Sequence, residues 1–269
     1  MMRRPSLTPA IVLIGCLLAT AGTFAQRRYG GLPGASKAFN VNGKYDGRFR
    51  FVRLMTDCAD VWRTPCRYYL GLPPWEHGYP LSEQNLMQIM SSVTALDPHV
   101  EDSMVLAIQD PELSKYPVAY MTEAGFWTIN DAEATALNAY LVKGGFVIFD
   151  DFRDPSRGGG GWGNFESNMA RVIPGAEWMP LTSSDPIFHS FFEINDLSTL
   201  KQHYNETTPP QFYGLYEKND RSRRLMAIAN YNVDISDWWE FSGQGYSPVD
   251  ATNQAYKFGV NYVVYGMTH

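Results

Sequence analysis

Two neighbouring acidic residues directly follow an apolar run. Residues 146–149 are apolar at every position, and Asp150 and Asp151 come next. Such a run is typical of a central parallel strand covered by helices on both faces, so we expect both acids at the carboxyl edge of a sheet. Adjacent carboxylates there can bind a divalent cation, hydrogen-bond sugar hydroxyls or act as an acid/base pair. In the structural alternative, one acid caps the following turn and the other faces solvent or pairs with Arg153.

Three further residues are candidates for the same crevice. Glu123 follows a second predicted strand, Asp57 follows the first, and His77 lies in an aromatic loop. An imidazole beside aromatic rings suits a sugar-stacking or proton-transfer site, although a histidine in such a loop is more often packed and hydrogen-bonded. The ligand-binding candidates are therefore Asp150, Asp151, Glu123, His77, Asp57 and Arg153.

The common motifs of metal and nucleophile sites are not found in the sequence. It has no His-Glu-x-x-His pattern, no clustered Cys/His set and no Gly-x-Ser-x-Gly elbow. The glycine run at residues 158–161 is not followed by the Lys-Ser/Thr of a phosphate-binding loop. We therefore expect no zinc site, no resident metal and no cofactor.

Apolar periodicity predicts alternating strands and helices that would position these residues. Strands are predicted over residues 49–54, 104–108, 118–121, 146–149, 212–216 and 225–229. Helices are predicted after a Ser82 N-cap, after an Asn130–Glu133 capping box, over residues 165–172 and from Ala251 to the C-terminus. This alternation predicts an α/β fold with one doubly wound, mostly parallel sheet and helices on both faces. Such sheets bind ligands beyond the carboxyl ends of their strands.

The N-terminus has the pattern of a cleaved secretory signal. Two arginines precede a short apolar run, and small residues follow it, which predicts cleavage after Ala25 or Ala21. The predicted organisation is a signal peptide over residues 1–25, a flexible leader over 26–47 and a single domain over 48–269. The apolar run is too short for a stable transmembrane anchor. A lipoprotein signal at Cys16 is less favoured because apolar residues follow it, so we expect a periplasmic or secreted protein.

Charge and cysteine content limit the partners. The formal net charge is −6, so the protein lacks the positive field that nonspecific nucleic-acid binding requires. We therefore expect no nucleic-acid partner. A small-molecule or carbohydrate ligand and a protein partner both stay open. Cys58 and Cys66 can form a disulfide in an oxidising compartment, and two buried thiols are the alternative.

Several segments resemble the family called domain of unknown function 4159. They are residues 75–80, 116–121, 144–151, 185–188 and 259–262, and their order and spacing cover most of the chain from Arg48. Members of that family are assigned a fold similar to class I glutamine amidotransferases, so the resemblance implies a flavodoxin-like sheet and supplies no activity. Two positions depart from the family pattern: Gly78 stands where an acidic residue is expected, and Asp185 where a histidine is expected.

The amidotransferase relatives place a cysteine nucleophile on a tight turn after a central strand. The comparable strand end, residues 120–123, has no cysteine, so no thiolate is available there to attack an amide. The first hypothesis is therefore a noncatalytic, exported ligand-binding or assembly module. The alternative is a carboxylate-dependent hydrolase or other carbohydrate-active enzyme that uses Asp150 or Asp151 with Glu123 or His77.

Overall fold

Strands and helices alternate along most of the chain. The computed structural model describes residues 40–58, 72–153, 161–200 and 208–269. The strands are β1 (Asn40–Val41), β2 (Val52–Met55), β3 (Asp57–Cys58), β4 (Asp102–Ala107), β5 (Val118–Met121), β6 (Trp127–Thr128), β7 (Phe146–Phe152), β8 (Trp178–Pro180), β9 (Gln211–Tyr216) and β10 (Leu225–Tyr231). The helices are α1 (Leu81–Val93), α2 (Asp131–Val142), α3 (Trp162–Val172), α4 (Ile235–Glu240) and α5 (Val249–Thr268).

The main sheet is mostly parallel, as predicted. Its strand order is β1-β4-β2-β5-β7-β10-β9-β8, and the strands from β1 to β10 pair in parallel. Only the last two pairings, β10 with β9 and β9 with β8, are antiparallel. The strand order reverses between β2 and β5, because β4 lies on the other side of β2. Parallel sheets place their ligand crevice at the carboxyl ends of strands beside such a reversal.

Helices cover both faces of this sheet, as predicted. One apolar cluster joins α1, α4 and α5 to strand residues such as Tyr120 and Ile148. A second cluster joins α2 and α3 to Met121 and Phe149 on the opposite face. Neighbouring strand residues enter different clusters because side chains alternate across a strand. Each large side chain buried in this way stabilises the fold by about 1.5–3 kcal/mol.

Local signals account for one helix start and not for another. The predicted capping box of α2 is present: the Asn130 side chain accepts from the Glu133 N–H at 3.0 Å, and the Glu133 side chain accepts from the Asn130 N–H at 2.9 Å. In α1, however, Ser82 is the second helical residue, and its hydroxyl donates to Glu83 Oε2 and to the Gly78 carbonyl. Ser82 is therefore not the N-cap that the sequence predicts.

Strand β7 is longer than the apolar run that predicts it. It extends to Phe152, so Asp150 and Asp151 lie inside the strand and do not end it. The pairing of β10 with β7 shifts register between the pairs Ala229–Phe149 and Tyr231–Phe152. This irregularity lets the strand continue through two acids, with Asp151 at a φ of 53°.

Contacts with the sheet begin before the predicted domain start at residue 48. Asn40–Val41, inside the predicted leader, pairs in parallel with Asp102 and Ser103 of β4. The Asn42 side chain then accepts from the Val105 N–H at 2.9 Å. The predicted signal peptide lies outside the described residues. Within the described ranges, no helix has the length and apolar character that a membrane span requires.

Candidate functional site

Four ionisable side chains meet at the carboxyl edge of the sheet. Glu123 follows β5, Asp151 lies near the end of β7, and Asp234 follows β10. His77, from the loop before α1, lies among them: its Nδ1 is 2.7 Å from Asp151 Oδ2, 3.7 Å from Glu123 Oε1 and 3.9 Å from Asp234 Oδ2. We call His77, Glu123, Asp151 and Asp234 the His77 cluster. Because the acids come from three strands, the sheet itself determines their separation.

The backbone is strained at two members of the cluster. Glu123 and Asp151 both have a φ of 53°, in the left-handed region that residues other than glycine rarely adopt. Each such residue costs about 1–3 kcal/mol and persists only where surrounding contacts require it. Strain of this kind is concentrated at functional sites, so its occurrence at both residues is consistent with a functional role.

A buried arginine holds the loop that carries His77. The Arg53 guanidinium, fully buried in β2, donates to the carbonyl oxygens of Trp75 at 2.9 Å and His77 at 2.7 Å. It also forms an ion pair with Glu83, which is buried at the start of α1. These bonds join β2, the His77 loop and α1, and they fix the main chain next to the imidazole.

The charges around His77 favour its protonated form. Burial alone would lower the pKa of the imidazole. The hydrogen bond and the negative charge of Asp151, together with the charges of Asp234 and Glu123, outweigh burial and raise the pKa of His77 to about 10. At neutral pH, the ring is therefore an imidazolium that donates to Asp151.

The pKa values of the three carboxyls of the cluster are shifted in different directions. Burial and the negative charge of Asp151 raise the pKa of Glu123 well above its usual value, and burial and the same charge act likewise on Asp234. Burial would also raise the pKa of Asp151, but the hydrogen bond and charge of His77 lower it below its usual value. The imidazole can donate a hydrogen bond and the carboxyl oxygens can accept one, so the cluster offers both kinds of group to a ligand.

Asp150 is separate from the cluster. It is fully buried, and its carboxylate accepts from the Tyr120 hydroxyl at 2.9 Å, the Asn230 amide at 3.0 Å and the main-chain N–H groups of Ile235 and Ser236. Burial and the charge of Asp151 raise its pKa to about 7. The sequence placed Asp150 among the ligand candidates, but its oxygens bind the start of α4. The structural alternative from the sequence, in which one acid caps the turn directly after the strand, also differs from the observed bonds of Asp150 to the start of α4.

The other candidates lie in different places. Arg153 Nη1 is 3.8 Å from Asp151 Oδ1, so it borders the cluster. Asp57 is exposed in β3 and pairs with Thr128 of β6. Within the described residues, no hydrogen bond or ion pair joins its side chain to the His77 cluster. Cys58 is disulfide-bonded, whereas Cys66 lies outside the described residues, so the pairing of these two cysteines stays a prediction.

The two residues for which the resemblance implies another residue type, Gly78 and Asp185, each have a local structural context. Gly78 has a φ of 71°, which suits glycine, and a Cβ there would lie 3.2 Å from Glu240 Oε2. The Asp185 carboxylate accepts from the Thr182 N–H at 2.7 Å and from Arg221 at 2.9 Å. Asp185 therefore stabilises a turn, while Gly78 allows the chain to bend beside His77.

Sequence reasoning missed Asp234 and Arg53. Asp234 comes shortly after the predicted strand at residues 225–229, so the rule that selected Glu123 would also have selected it. Arg53 stands in an alternating apolar and basic strand, a pattern that predicts a solvated basic face. No local signal distinguishes this buried arginine, because Glu83 and the two carbonyl groups that bind it come from a later part of the chain.

Comparison with known proteins gives a family and no described activity. A family model described as a domain of unknown function (DUF4159) matches residues 50–267, which is most of the chain. The search of curated proteins gave no match. The matched residues include every member of the His77 cluster.

Proposed function

The chain belongs to the family of the domain of unknown function DUF4159, and from that premise we propose that it is an exported, noncatalytic binding module. In this proposal the fold is amidotransferase-like, and a small ligand binds at the His77 cluster. One observation carries the proposal: a histidine and the acids of three parallel strands converge at the edge where such sheets bind ligands. In the assembly version of this proposal, a protein partner binds to the same face instead of a small ligand.

The turn after β5 supports binding rather than acyl transfer. An amidotransferase-like fold would hold its cysteine nucleophile there, and this chain has Thr122 and Glu123. The strained φ of Glu123 is what a sharp turn after a central strand requires. A carboxyl at that position cannot form the thioester of glutamine hydrolysis, but it can bind a ligand.

Exposure indicates from which side a ligand arrives. The His77 side chain is 20% exposed, whereas Glu123 and Asp151 are 5% and 3% exposed. A ligand therefore meets the imidazole first and reaches the carboxyls behind it. This mixture of donors and acceptors suits a hydroxyl-bearing molecule or a cation.

Export has support from the sequence and from one cysteine. The N-terminal pattern is that of a secretory signal, and Cys58 is disulfide-bonded. Disulfides form and persist in oxidising compartments outside the cytoplasm. An exported protein would meet its ligand there.

The hydrolase alternative loses one of its two possible acids. Asp150 is fully buried and is held by Tyr120, Asn230 and the start of α4, so only Asp151 with Glu123 or His77 is left to it. Glycosidase carboxyls must both reach the scissile bond, and the side chains of Glu123 and Asp151 are 5% and 3% exposed. We therefore retain hydrolysis as an outcome of the ligand experiment below.

A ligand screen tests the proposed function. The chelator-treated protein would be screened against sugars, nucleotides and amines by thermal shift. At about 100 times its Kd, a ligand stabilises the fold by about 2.7 kcal/mol, which raises the Tm by roughly 5–10 °C for a domain of this size. We expect at least one such ligand, and we expect Glu123→Gln to abolish its shift.

The control is His189→Gln, which removes a surface histidine bonded to Glu193 at 2.5 Å, remote in sequence from the cluster. It should keep the full shift. A thermal shift in the Glu123→Gln variant equal to that of the wild type would contradict the proposed site. A screen in which no compound binds would contradict it as well. Turnover of the ligand would make the protein an enzyme and contradict the noncatalytic assignment.

A further inference from the structure

Three donor atoms of the His77 cluster have the separations of metal ligands. One atom each from His77, Asp151 and Asp234 lies within 4.8 Å of the others. The bonds of zinc to imidazole nitrogen and carboxylate oxygen are about 2.0–2.2 Å long, which places neighbouring ligand atoms about 3–3.5 Å apart. The distances of 2.7 Å and 3.9 Å from His77 Nδ1 to Asp151 and Asp234 lie on either side of that range.

We propose that the His77 cluster binds a divalent transition-metal ion through His77, Asp151 and Asp234. The inference rests on the proposed function, because it names the ligand class of the same site. Glu123, whose Oε1 lies 3.7 Å from His77 Nδ1, is the fourth ligand or a hydrogen-bond acceptor for metal-bound water. When the ion binds, the Nδ1 proton of His77 is released to solvent, and Nδ1 and the Asp151 carboxylate each bind the ion through a lone pair.

The balance of charge at the cluster favours a cation. Glu123, Asp151 and Asp234 are each at most 5% exposed, and the basic side chains close to them include His77 and the partly exposed Arg153. Buried charges in proteins are paired or bind metals, because an unpaired buried carboxylate is costly.

The carboxylates around the imidazole give further support. Asp237 and Glu240, both in α4, form a second group of possible ligand atoms with His77. A histidine that binds a metal commonly donates its other ring N–H to a carboxylate, which orients the ring and increases its basicity. Asp237 and Glu240 place further carboxylate oxygens near a nitrogen of the His77 ring.

The donor set indicates which ions would bind. Imidazole nitrogen suits zinc and its neighbours, whereas carboxylate oxygen also suits manganese, magnesium and calcium. A site with one nitrogen and two or three oxygens should therefore bind Zn²⁺ more tightly than Mn²⁺, in the usual order of divalent affinities. It should bind Mg²⁺ and Ca²⁺ weakly, because these ions prefer all-oxygen sites.

Calorimetric titration of Zn²⁺ and Mn²⁺ into the chelator-treated full-length protein without a histidine tag tests the proposal. We expect one ion per chain, and we expect His77→Gln and Asp234→Asn each to weaken Zn²⁺ binding at least tenfold. His189→Gln, the matched surface control, should bind as the wild type does. Circular dichroism would establish that each variant is folded.

A measurement on the wild type alone covers the case in which the variants do not fold. Co²⁺ bound to one nitrogen and several oxygens should give visible absorption bands that Zn²⁺ abolishes at one equivalent. Absence of these bands, or equal Zn²⁺ affinity in His77→Gln and His189→Gln, would overturn the metal assignment. If an organic ligand still binds chelator-treated protein and needs Glu123, only the metal assignment fails. If neither metal nor organic ligand binds, the proposed function fails as well.

Discussion

Two adjacent acids of β7 have opposite roles. Asp150 faces the helices α4 and α5, where it accepts from Tyr120, Asn230 and the start of α4, and it is fully buried. Asp151 faces the sheet edge and binds His77. The two side chains lie in different environments at a point where β7 is irregular: its pairing with β10 shifts register there, and Asp151 has a φ of 53°. Substitution at the two positions should therefore affect different properties.

Asp150→Asn should lower stability. The amide that replaces one carboxylate oxygen cannot accept from the donors on that side, and a buried donor without a partner costs about 1–3 kcal/mol. Urea unfolding should show a loss of this size in the free energy of unfolding. Asp57→Asn, at an exposed acid, is the control and should change it by no more than about 0.5 kcal/mol. Equal stability of the two variants would contradict the structural role of Asp150.

Arg53→Met should destabilise the protein by removing a buried partner of Glu83. Both side chains are buried, and breaking a buried ion pair costs about 3–5 kcal/mol because one charge is left alone. The double variant Arg53→Met with Glu83→Gln should lose less free energy of unfolding than the sum of the losses in the two single variants. Additive losses in urea unfolding would show that the pair is not coupled.

The strands and helices determine where the His77 cluster lies, whereas its side chains determine its chemistry. Three parallel strands end at one edge, and α1 and α5 cover the face behind it. Close packing of α5 depends on a small residue: a Cβ at Gly259 would lie 2.6 Å from the Trp239 ring and 2.8 Å from Leu86. This contact connects α5 to α4 and α1, the two helices next to the His77 cluster.

Gly259→Ala should therefore destabilise the fold although alanine favours helices. Overpacking in a close-packed interior costs about 1–3 kcal/mol. Gly163→Ala in α3 is the matched control, since a Cβ there has no atom within 4 Å. The control should be neutral or stabilising by up to about 1 kcal/mol. Thermal unfolding that ranks the two variants in the opposite order would show that α5 does not pack as described.

Local patterns predicted the elements well where sequence neighbours determine them. Strand β5 and the capping box of α2 agree with prediction, since alternation and capping depend on a few adjacent residues. The end of β7 does not agree, because pairing with β10 extends it through Asp150 and Asp151. Tertiary pairing overrides the local preference of acids for turns.

The site was predictable in part for the same reason. The rule on carboxyl ends of strands selected Glu123 and Asp151, and the aromatic loop selected His77. The rule on strand ends also selected Asp150 and Asp57. A sequence does not show which face of a sheet an acid occupies, or whether a strand joins the main sheet. Arg53 could not be found, since its partners in the His77 loop and α1 are brought to it only by folding.

At the scale of the whole molecule, the family match and the fold agree. The match covers residues 50–267, which include every strand of the main sheet except β1. The family description gives no activity, so function has to be argued from the cluster itself. Export would place the cluster in a compartment where ions and small molecules are acquired from outside.

The mass of the mature protein tests the export prediction directly. When the full-length chain is expressed in a bacterium with a secretory pathway, we expect a mature protein that begins at Gln26 or Gly22. Intact-mass spectrometry distinguishes these products from the complete chain and from a lipid-modified protein beginning at Cys16. Recovery of the complete chain from the cytoplasm alone would contradict export.

Anomalous diffraction from crystals soaked in Zn²⁺ tests the central claim most directly. The account predicts one strong difference peak about 2.0–2.2 Å from His77 Nδ1 and from carboxylate oxygens of Asp151 and Asp234. The peak should disappear in crystals of Asp234→Asn. A peak at other residues, or no peak in well-diffracting crystals, would contradict the assignment of the His77 cluster as the metal-binding site.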